Sequence, residues 1–425
     1  MLGILQCAAM VLCSRQLSDR GGPWFMLSAA VAGVLYLLAV RELFAAPALA
    51  RNMLVFGLVL AGVWHSAFLP LPPGQDDDIH RYVWDGRLQR LGYNPYLIIP
   101  SDPAVQGLHT AETRNLNNPD LASPYPPVAE LFFRAVTAVG ESTRALKIAF
   151  ALCEFAIVFV LLDLLRISGQ REHLVLVYAW NPLLAIEVSG SGHIDILGAL
   201  LLVISVAALA RHWRTVAALT FGLAVAVKFL PLVLLPLYWK RVRIRDAMLT
   251  ITVLTLLYVP FLNHGRLPTG SLGTFVQTFR FNGPIFAILN RIAPPKTLAA
   301  LAVLAGLATS LWLRRIGIRA PDAFSWPMAV SLMCGPVVFP WYLLWLLPFL
   351  TSASTLLMIL WTVCVVPTYV QWHLRALGHP WGPLPVWVMI AEYGCLSAAA
   401  LVIFLRRRNR KVAGGTAKDS PASPA

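Results

Sequence analysis

The chain has 425 residues, of which 58% are hydrophobic and only 13% are charged, and its mean hydropathy is +0.68. These values exclude an ordinary soluble globular domain and indicate a polytopic membrane protein. The formal net charge of +14 does not indicate nucleic-acid binding, because Lys and Arg lie in short clusters between apolar runs, as topology signals do.

Apolar stretches close to the roughly 20 residues that cross a hydrocarbon core recur along the chain. Two further stretches, 215–239 and 323–350, are interrupted by proline and predict hairpins of shorter helices. The sequence therefore predicts an all-α membrane protein with about 12–14 transmembrane helices in a single domain, residues 1–411. Residues 412–425 lack apolar periodicity and predict a disordered cytoplasmic tail. The other apolar stretches are 2–13, 24–43, 52–70, 145–165, 173–189, 193–210, 247–262, 297–313, 355–370 and 385–405.

Clusters of basic residues predict the orientation of the chain, because positively charged loops stay on the cytoplasmic side. With both hairpins counted, all the clusters share that side, and the loops 71–144, 263–296 and 371–384 lie on the opposite face. Between residues 71 and 125 the first loop contains seven acidic residues and four arginines, which supports an extracytoplasmic location. The basic clusters are 240–245, 314–319 and 406–411.

The first loop begins with three adjacent carboxylates, Asp76, Asp77 and Asp78, at the exit of an apolar stretch. Charged groups are costly at the edge of a membrane, so the three aspartates together indicate a functional site. For any one of them, an acidic helix N-terminus that complements the helix dipole is an equal alternative. Clustered carboxylates also suit hard cations, so a divalent metal held by the three aspartates is a further alternative.

The residues from Asp78 to about Leu91 contain one glycine and no proline, which predicts a short helix along the membrane surface. On this helix Asp78, Tyr82 and Asp85 share one face. Arg81 is placed to pair with Asp78 at a spacing of three residues or with Asp85 at a spacing of four.

Other polar residues are predicted to converge on the same side of the membrane. His193 and Asp195 lie in a short turn between two apolar stretches, where a plain polar turn is the alternative. Lys228 interrupts an apolar hairpin and is either an anion ligand or a lysine that extends to the membrane surface. Arg280 stands between two phenylalanines, and an arginine beside aromatic rings suits bidentate recognition of phosphate.

The sequence contains none of the common motifs for a soluble cofactor or a nucleotide. It has no Gly-x-Gly-x-x-Gly after a strand, no phosphate-binding loop that ends in Gly-Lys-Ser/Thr, and no His-Glu-x-x-His. A membrane enzyme without a nucleotide site needs a donor that is already carried by a lipid.

The polar motifs of the first loop resemble those of a known enzyme family. Residues 77–87 read Asp-Asp-Ile-His-Arg-Tyr-Val-Trp-Asp-Gly-Arg, residues 92–96 read Gly-Tyr-Asn-Pro-Tyr, and residues 125–127 read Tyr-Pro-Pro. This combination is similar to the polyprenyl-phosphate-sugar-dependent glycosyltransferases of the C-type membrane superfamily. Within that superfamily it most resembles the bacterial polyprenol-phosphate-mannose-dependent mannosyltransferases. The later matches are 192–195, Lys228 with Pro231 and Pro236, 281–283, and 340–342 with Pro348.

The resemblance implies the C-type glycosyltransferase fold and an inverting transfer of a monosaccharide, most often mannose. The donor would be a polyprenyl-phosphate sugar, and the acceptor a hydroxyl of a glycolipid or cell-envelope glycan. The active site would face the extracytoplasmic side of a bacterial plasma membrane, and membrane lipids would surround the enzyme. The resemblance implies no required metal or other cofactor.

The resemblance also implies roles for individual residues. The family's general base usually precedes the first tyrosine of the first-loop helix by four residues, which selects Asp78, followed by Asp77. The family often has a tyrosine where this chain has His80, and the third aspartate is additional, so the choice between the two stays open. The donor phosphate is expected at Arg280 and Lys228, with Arg81 behind them. The residues expected in the sugar or acceptor pocket are Tyr82, Asp85, His193, Asp195, Asn282, Trp341 and Tyr342.

A transporter or flippase of lipid-linked sugars is the alternative from another functional class. Transporters place charges at the membrane midplane on broken helices and show internal repeats. Here the charges cluster in a loop at the membrane face and no repeat is visible, which favours the enzyme. A structural partner of an envelope synthase would not require the acidic cluster.

Overall fold

The computed structural model describes residues 1–75, 78–265 and 267–416, and within these ranges the chain is helical, with no β-strand. An isolated parallel β-bridge joins Phe281 and Val337. The predicted all-α polytopic class is confirmed. The α-helices are α1 (Leu2–Arg15), α2 (Pro23–Ala45), α3 (Arg51–Phe68), α4 (Asp78–Arg90), α5 (Pro127–Val139), α6 (Thr143–Ile167), α7 (Val175–Ala179), α8 (Pro182–Leu184), α9 (Asp195–Ala210), α10 (Arg214–Val225), α11 (Leu235–Tyr238), α12 (Ile244–Tyr258), α13 (Leu272–Thr278), α14 (Pro284–Leu289), α15 (Pro295–Arg315), α16 (Ser325–Met333), α17 (Leu356–Cys364), α18 (Val370–Ala376) and α19 (Val386–Thr416).

Six helices in the described ranges are long and apolar enough to cross a membrane, and the bent pair Glu172–Ala179 and Pro182–Ser191 makes a seventh if it counts as one span. The chain is therefore a multi-pass membrane protein. The predicted total of about 12–14 spans also counted shorter apolar helices and stretches that proline divides. Both predicted hairpins are divided in this way, with 3-10 turns at Leu230–Leu234 and Pro340–Trp345.

The loop between α3 and α6 contains α4 and α5, which pack against each other. The predicted helix in this loop is confirmed, since α4 begins at Asp78 and ends at Arg90. Tyr82 of α4 stacks on Phe133 of α5 with their ring centroids 4.5 Å apart. The side of α4 at Gly86 lies so close to α5 that an added Cβ would be 2.6 Å from the Phe133 carbonyl oxygen. A glycine is required there because the two backbones touch.

A π-helix over Ala185–Ser191 leads into α9 and places polar side chains beside the start of α4. It ends at Gly192, whose φ of 81° lies in the left-handed region that favours glycine. A Cβ at Gly192 would also stand 2.4 Å from the Ile79 Cδ1 atom. The predicted turn at 190–195 is therefore packed against α4, and π-helical turns are frequent at functional sites.

The predicted disordered tail over 412–425 stays a prediction. Helix α19 continues to Thr416, beyond the predicted boundary. Residues 417–425 lie outside the described residues.

Candidate active site

A cavity of about 710 Å³ opens where the first turn of α4 faces segments from the second half of the chain. Its volume falls within the range of about 300–1,000 Å³ that is typical of ligand sites. Aromatic rings form much of its wall, and a few charged side chains are placed among them. The lining includes Asp78, Arg81, Asn117, Tyr125, Lys228, Trp341, Tyr342, Trp345, Trp372, Arg375, His379 and Trp381.

Asp78, the first choice for the general base, lines this cavity, and 17% of its side chain is exposed. Its Oδ1 atom accepts a hydrogen bond from the Asn117 amide, and its Oδ2 atom lies 3.8 Å from the His193 Nε2 atom. A carboxylate held in this way on the wall of a cavity can reach a substrate hydroxyl. Asp77, the second choice, and Asp76 lie outside the described residues.

His193 is fully buried behind Asp78 and connects it to the interior. Its ring stacks on Trp341 with the centroids 3.9 Å apart, and its Nδ1 atom lies 2.9 Å from the Glu187 Oε2 atom. The other oxygen of Glu187 accepts a hydrogen bond from the Tyr369 hydroxyl. The predicted pocket residue His193 thus contacts the candidate base and the cavity-lining Trp341, with a second carboxylate on its far side.

Lys228 brings a positive charge to the same cavity. Its Nζ atom lies 2.9 Å from Oδ1 and 3.0 Å from Oδ2 of Asp195, and 4.1 Å from the ring centroid of Tyr342. The Trp345 indole N–H also donates to Asp195, at 2.7 Å. Because Asp195 is fully buried, the ion pair holds the ammonium group at the cavity wall while 24% of the lysine side chain stays exposed. The structure therefore brings three predicted site residues into one cluster: Lys228, Asp195 and Tyr342.

Arg81 lines the cavity, but its guanidinium group is committed to protein partners. Its Nε atom donates to Asp85 at 3.1 Å, and its Nη1 and Nη2 atoms donate to the carbonyl oxygens of Asn118 at 3.4 Å and Leu121 at 2.6 Å. The predicted pairing at a spacing of four residues is thus the one that forms. Only 3% of the Arg81 side chain is exposed, so its main role is to stabilise the loop and not to bind the donor phosphate.

Asp85 and Tyr82 are absent from the cavity lining among the described residues, contrary to the expectation for pocket residues. Asp85 is fully buried against Arg81. Tyr82 packs the edge of its ring on Tyr125, which does line the cavity, with the centroids 5.2 Å apart. Both residues lie behind the cavity wall. Beyond the first turn of α4, the side chains on this face pack against the rest of the loop.

The surroundings of Asp85 shift the pKa values of two carboxyl groups. Burial raises the pKa of Asp85, although the adjacent Arg81 guanidinium opposes this. Burial also raises the pKa of Glu130 well above its usual value, and the nearby Asp85 charge raises it further. Glu130 accepts hydrogen bonds from the Gln89 amide at 2.8 Å and from the Ser123 hydroxyl. Of the two carboxyl groups, the Arg81 guanidinium thus contacts Asp85, while Glu130 is held by neutral hydrogen-bond donors, and both groups anchor the loop.

Arg280 and Asn282 are not among the described residues that line the cavity. The Arg280 guanidinium donates to the carbonyl oxygens of Val276, Gln277 and Phe279, at the end of α13. The last carbonyls of a helix lack intrahelical partners, and here the arginine side chain satisfies them. Asn282 is buried and donates to Glu392 of α19 at 2.9 Å. Both side chains are therefore engaged by other parts of the protein, and the structure does not bring them to the cavity wall that Asp78 and Lys228 line.

Several residues at the site are not among the site residues that the sequence predicted. Asn117 and Glu187 contact the Asp78–His193 pair, and Arg375, His379 and Trp381 also line the cavity. A signal existed for Glu187, since an acidic residue inside an apolar stretch indicates a functional position. No local signal distinguished Asn117 from its neighbour Asn118.

The Asp78 carboxylate and the Lys228 ammonium group line the same largely aromatic cavity. A carboxylate can take the proton of an attacking hydroxyl, and a cation can stabilise an anionic leaving group. In the part of the chain that the structure describes, no group of three His, Cys, Asp or Glu side chains could hold a metal ion. Asp76 and Asp77 belong to the undescribed part.

The chain was compared with known proteins. A family model described as "Alpha-(1->6)-mannopyranosyltransferase, N-terminal domain" matches residues 7–242, more than half of the chain. The matched range contains Asp78, His193, Asp195 and Lys228. The comparisons with curated proteins and with solved structures find no match.

Proposed function

The chain belongs to the alpha-(1->6)-mannopyranosyltransferase family and is therefore a mannosyltransferase, and we propose that its donor is a polyprenyl-phosphate mannose. Family membership favours an enzyme over the transporter or flippase considered for the sequence. The enzyme transfers the mannosyl group, with inversion, to a saccharide hydroxyl of a glycolipid or cell-envelope glycan. The reaction takes place on the extracytoplasmic face of a bacterial plasma membrane.

The observation that carries this proposal is that Asp78 and Lys228 line the same cavity. Asp78 removes the proton from the acceptor hydroxyl as its oxygen attacks the anomeric carbon. The bond to the phosphate oxygen breaks, and the polyprenyl phosphate leaves as an anion that Lys228 stabilises. An inverting displacement requires only one base, and a phosphate leaving group needs positive charge instead of a proton donor.

The linkage in the family name supports two further features of the proposed substrates. A (1->6) bond means that the attacking group is the primary hydroxyl at C6 of an acceptor sugar. Inversion with an alpha product requires a donor whose mannosyl phosphate has the beta configuration. The proposal therefore commits to a beta-linked polyprenyl-phosphate mannose and to an acceptor with a free 6-hydroxyl.

The apolar lining suits the lipid part of the donor. Leu230, Leu272, Phe275 and Phe279 line the cavity and come from segments that adjoin apolar helices. A polyprenyl chain gains free energy when it stays in contact with apolar surface. The absence of a nucleotide-binding motif in the sequence agrees with a lipid-linked donor.

The experiment uses the full-length protein in lipid nanodiscs with an alpha-linked mannose disaccharide as acceptor. The donors are beta- and alpha-configured polyprenyl-phosphate mannose and GDP-mannose, tested separately, and the product is analysed by NMR. We expect an alpha-(1->6) product from the beta-configured donor alone. Transfer from GDP-mannose would refute the lipid donor, and a beta-linked product would refute inversion.

A further inference from the structure

The loop that follows α18 forms part of the cavity wall and is held in a defined shape. Helix α18 is capped by Leu377 and followed by Gly378, whose φ of 89° is left-handed, and the His379 N–H donates to the Leu374 carbonyl oxygen at 3.0 Å. This is the pattern of a Schellman motif, which terminates a helix with a glycine. Pro380 follows at once and restricts the backbone further. The next residue, Trp381, is therefore presented from a preorganised loop.

Trp381 is a large aromatic side chain that is fixed in place and still accessible. Its ring stacks on Phe281 with centroids 5.8 Å apart and an interplanar angle of 18°, and it meets the edge of Trp372 at 5.3 Å. The residue lines the cavity, and 41% of its surface is exposed. By contrast, Trp345 and Trp341, deeper in the same wall, are 0% and 5% exposed. Trp381 thus keeps surface available for a ligand.

We propose that Trp381, together with Arg375 and His379, is the subsite that binds the acceptor saccharide beyond the sugar that receives the mannosyl group. The inference rests on the proposed function of the cavity. The C–H groups of a pyranose ring pack on an indole face, while Arg375 and His379 supply hydrogen-bonding groups for its hydroxyls. The Arg375 guanidinium carbon lies 6.0 Å from the Trp381 ring centroid, so the polar and apolar parts are adjacent.

The position of this subsite in the chain favours the acceptor over the donor. Lys228, which stabilises the leaving phosphate of the donor, lies within the range 7–242 that matches the family model. Trp381 lies outside that range and reaches the same cavity from the C-terminal part of the chain. The cavity volume of about 710 Å³ exceeds the about 300 Å³ of the smallest ligand sites and leaves room for more than one sugar.

The experiment compares wild type with Trp381→Ala, Trp381→Phe and Trp387→Ala in nanodiscs. Trp387 is the matched control, because it lies six residues further on, is 54% exposed and is not among the described residues that line the cavity. Steady-state rates are measured with mannose mono-, di- and trisaccharide acceptors at saturating donor. Binding of the trisaccharide without donor is measured by saturation-transfer NMR, so that this test does not depend on turnover.

We expect Trp381→Ala to raise KM for the trisaccharide about tenfold and to weaken its donor-free binding equally, as truncation of a central aromatic contact does. The KM for the monosaccharide and for the donor, and kcat, should stay within about twofold. Trp381→Phe should recover most of the loss, and Trp387→Ala should match wild type.

Three results would overturn the subsite. An unchanged trisaccharide KM would remove Trp381 from acceptor binding, and a raised donor KM would place the ring against the polyprenyl chain. An equal effect of Trp387→Ala would make both tryptophans membrane anchors. If no donor supports turnover but the trisaccharide still binds in a Trp381-dependent way, the proposed reaction fails while the saccharide subsite stands.

Discussion

Helix α4 carries two aspartates, Asp78 and Asp85, in different surroundings. Asp78 lies in the first turn and Asp85 two turns later, roughly 10 Å along the helix axis. Asp78 lines the cavity with 17% of its side chain exposed, whereas Asp85 is fully buried in an ion pair with Arg81. One aspartate meets substrate in our proposal, and the other fixes the loop that holds the first.

The difference shows how a membrane protein can use carboxylates for two purposes on one helix. At the cavity end, Asp78 keeps an open side and is contacted by Asn117 and His193. Two turns along the helix, the Asp85 carboxylate accepts from Arg81, and the Asp85 carbonyl oxygen accepts from the Gln89 amide. Removal of the Asp78 charge should therefore stop the reaction, whereas removal of the Asp85 charge should destabilise the fold.

The largest effect on folding is expected for Arg81→Met. This change leaves Asp85 buried without its cation, and breaking a buried ion pair on one side costs about 3–5 kcal/mol. We expect a much lower yield of monodisperse protein and a lower apparent Tm in detergent. The matched control is Arg87→Met on the same helix, whose partner Glu141 is partly exposed and which should cost less than about 1 kcal/mol. Equal yields for the two variants would contradict the anchoring role.

A smaller and pH-dependent effect is expected for Glu130→Gln. The raised pKa of Glu130 means that the folded protein holds a proton which the unfolded chain has released. Wild-type stability is therefore highest below the ordinary carboxyl pKa and decreases as the pH rises toward and through the raised value. The difference in Tm between Glu130→Gln and wild type should rise by about 1–2 °C in favour of the variant from pH 5 to pH 8. A difference in Tm that stays constant over this range would contradict the argument.

The smallest effect is expected for Arg280→Ala. The Arg280 side chain satisfies carbonyl groups at the end of α13, and such a contact contributes about 0.3–1 kcal/mol to stability. The KM for the donor should change less than about threefold. A hundredfold rise in donor KM would instead restore Arg280 as the phosphate ligand that the sequence predicted.

The sequence predicted well what depends on local spacing. The apolar stretches became helices, and α4 was predicted from its residue pattern. Helical spacing allowed Arg81 to pair with Asp78 or Asp85, and the structure shows the pair with Asp85. The number of spans was harder to predict, because proline converts apolar stretches into short helices and 3-10 turns. Hydropathy measures composition and does not resolve such breaks.

The site was predictable only in part, because its residues come from distant segments. Asp78, Lys228, Trp341 and Tyr342 do line one cavity, as the resemblance implied. Arg280 resembled a phosphate ligand in sequence, but the short helix α13 was not foreseen, and its terminal carbonyls bind the guanidinium group. Local spacing also could not bring Asn117 or Glu187 to the Asp78–His193 pair.

The most direct test measures the initial rate of mannosyl transfer per folded molecule for Asp77→Asn, Asp78→Asn and Asp85→Asn. We predict that Asp78→Asn folds like wild type and loses about 10²–10⁴-fold in kcat, the contribution of a general base. Asp85→Asn should yield less folded protein, with a rate per folded molecule within about threefold of wild type. An active Asp78→Asn enzyme, or a loss confined to Asp77→Asn, would contradict the assignment of Asp78 as the base.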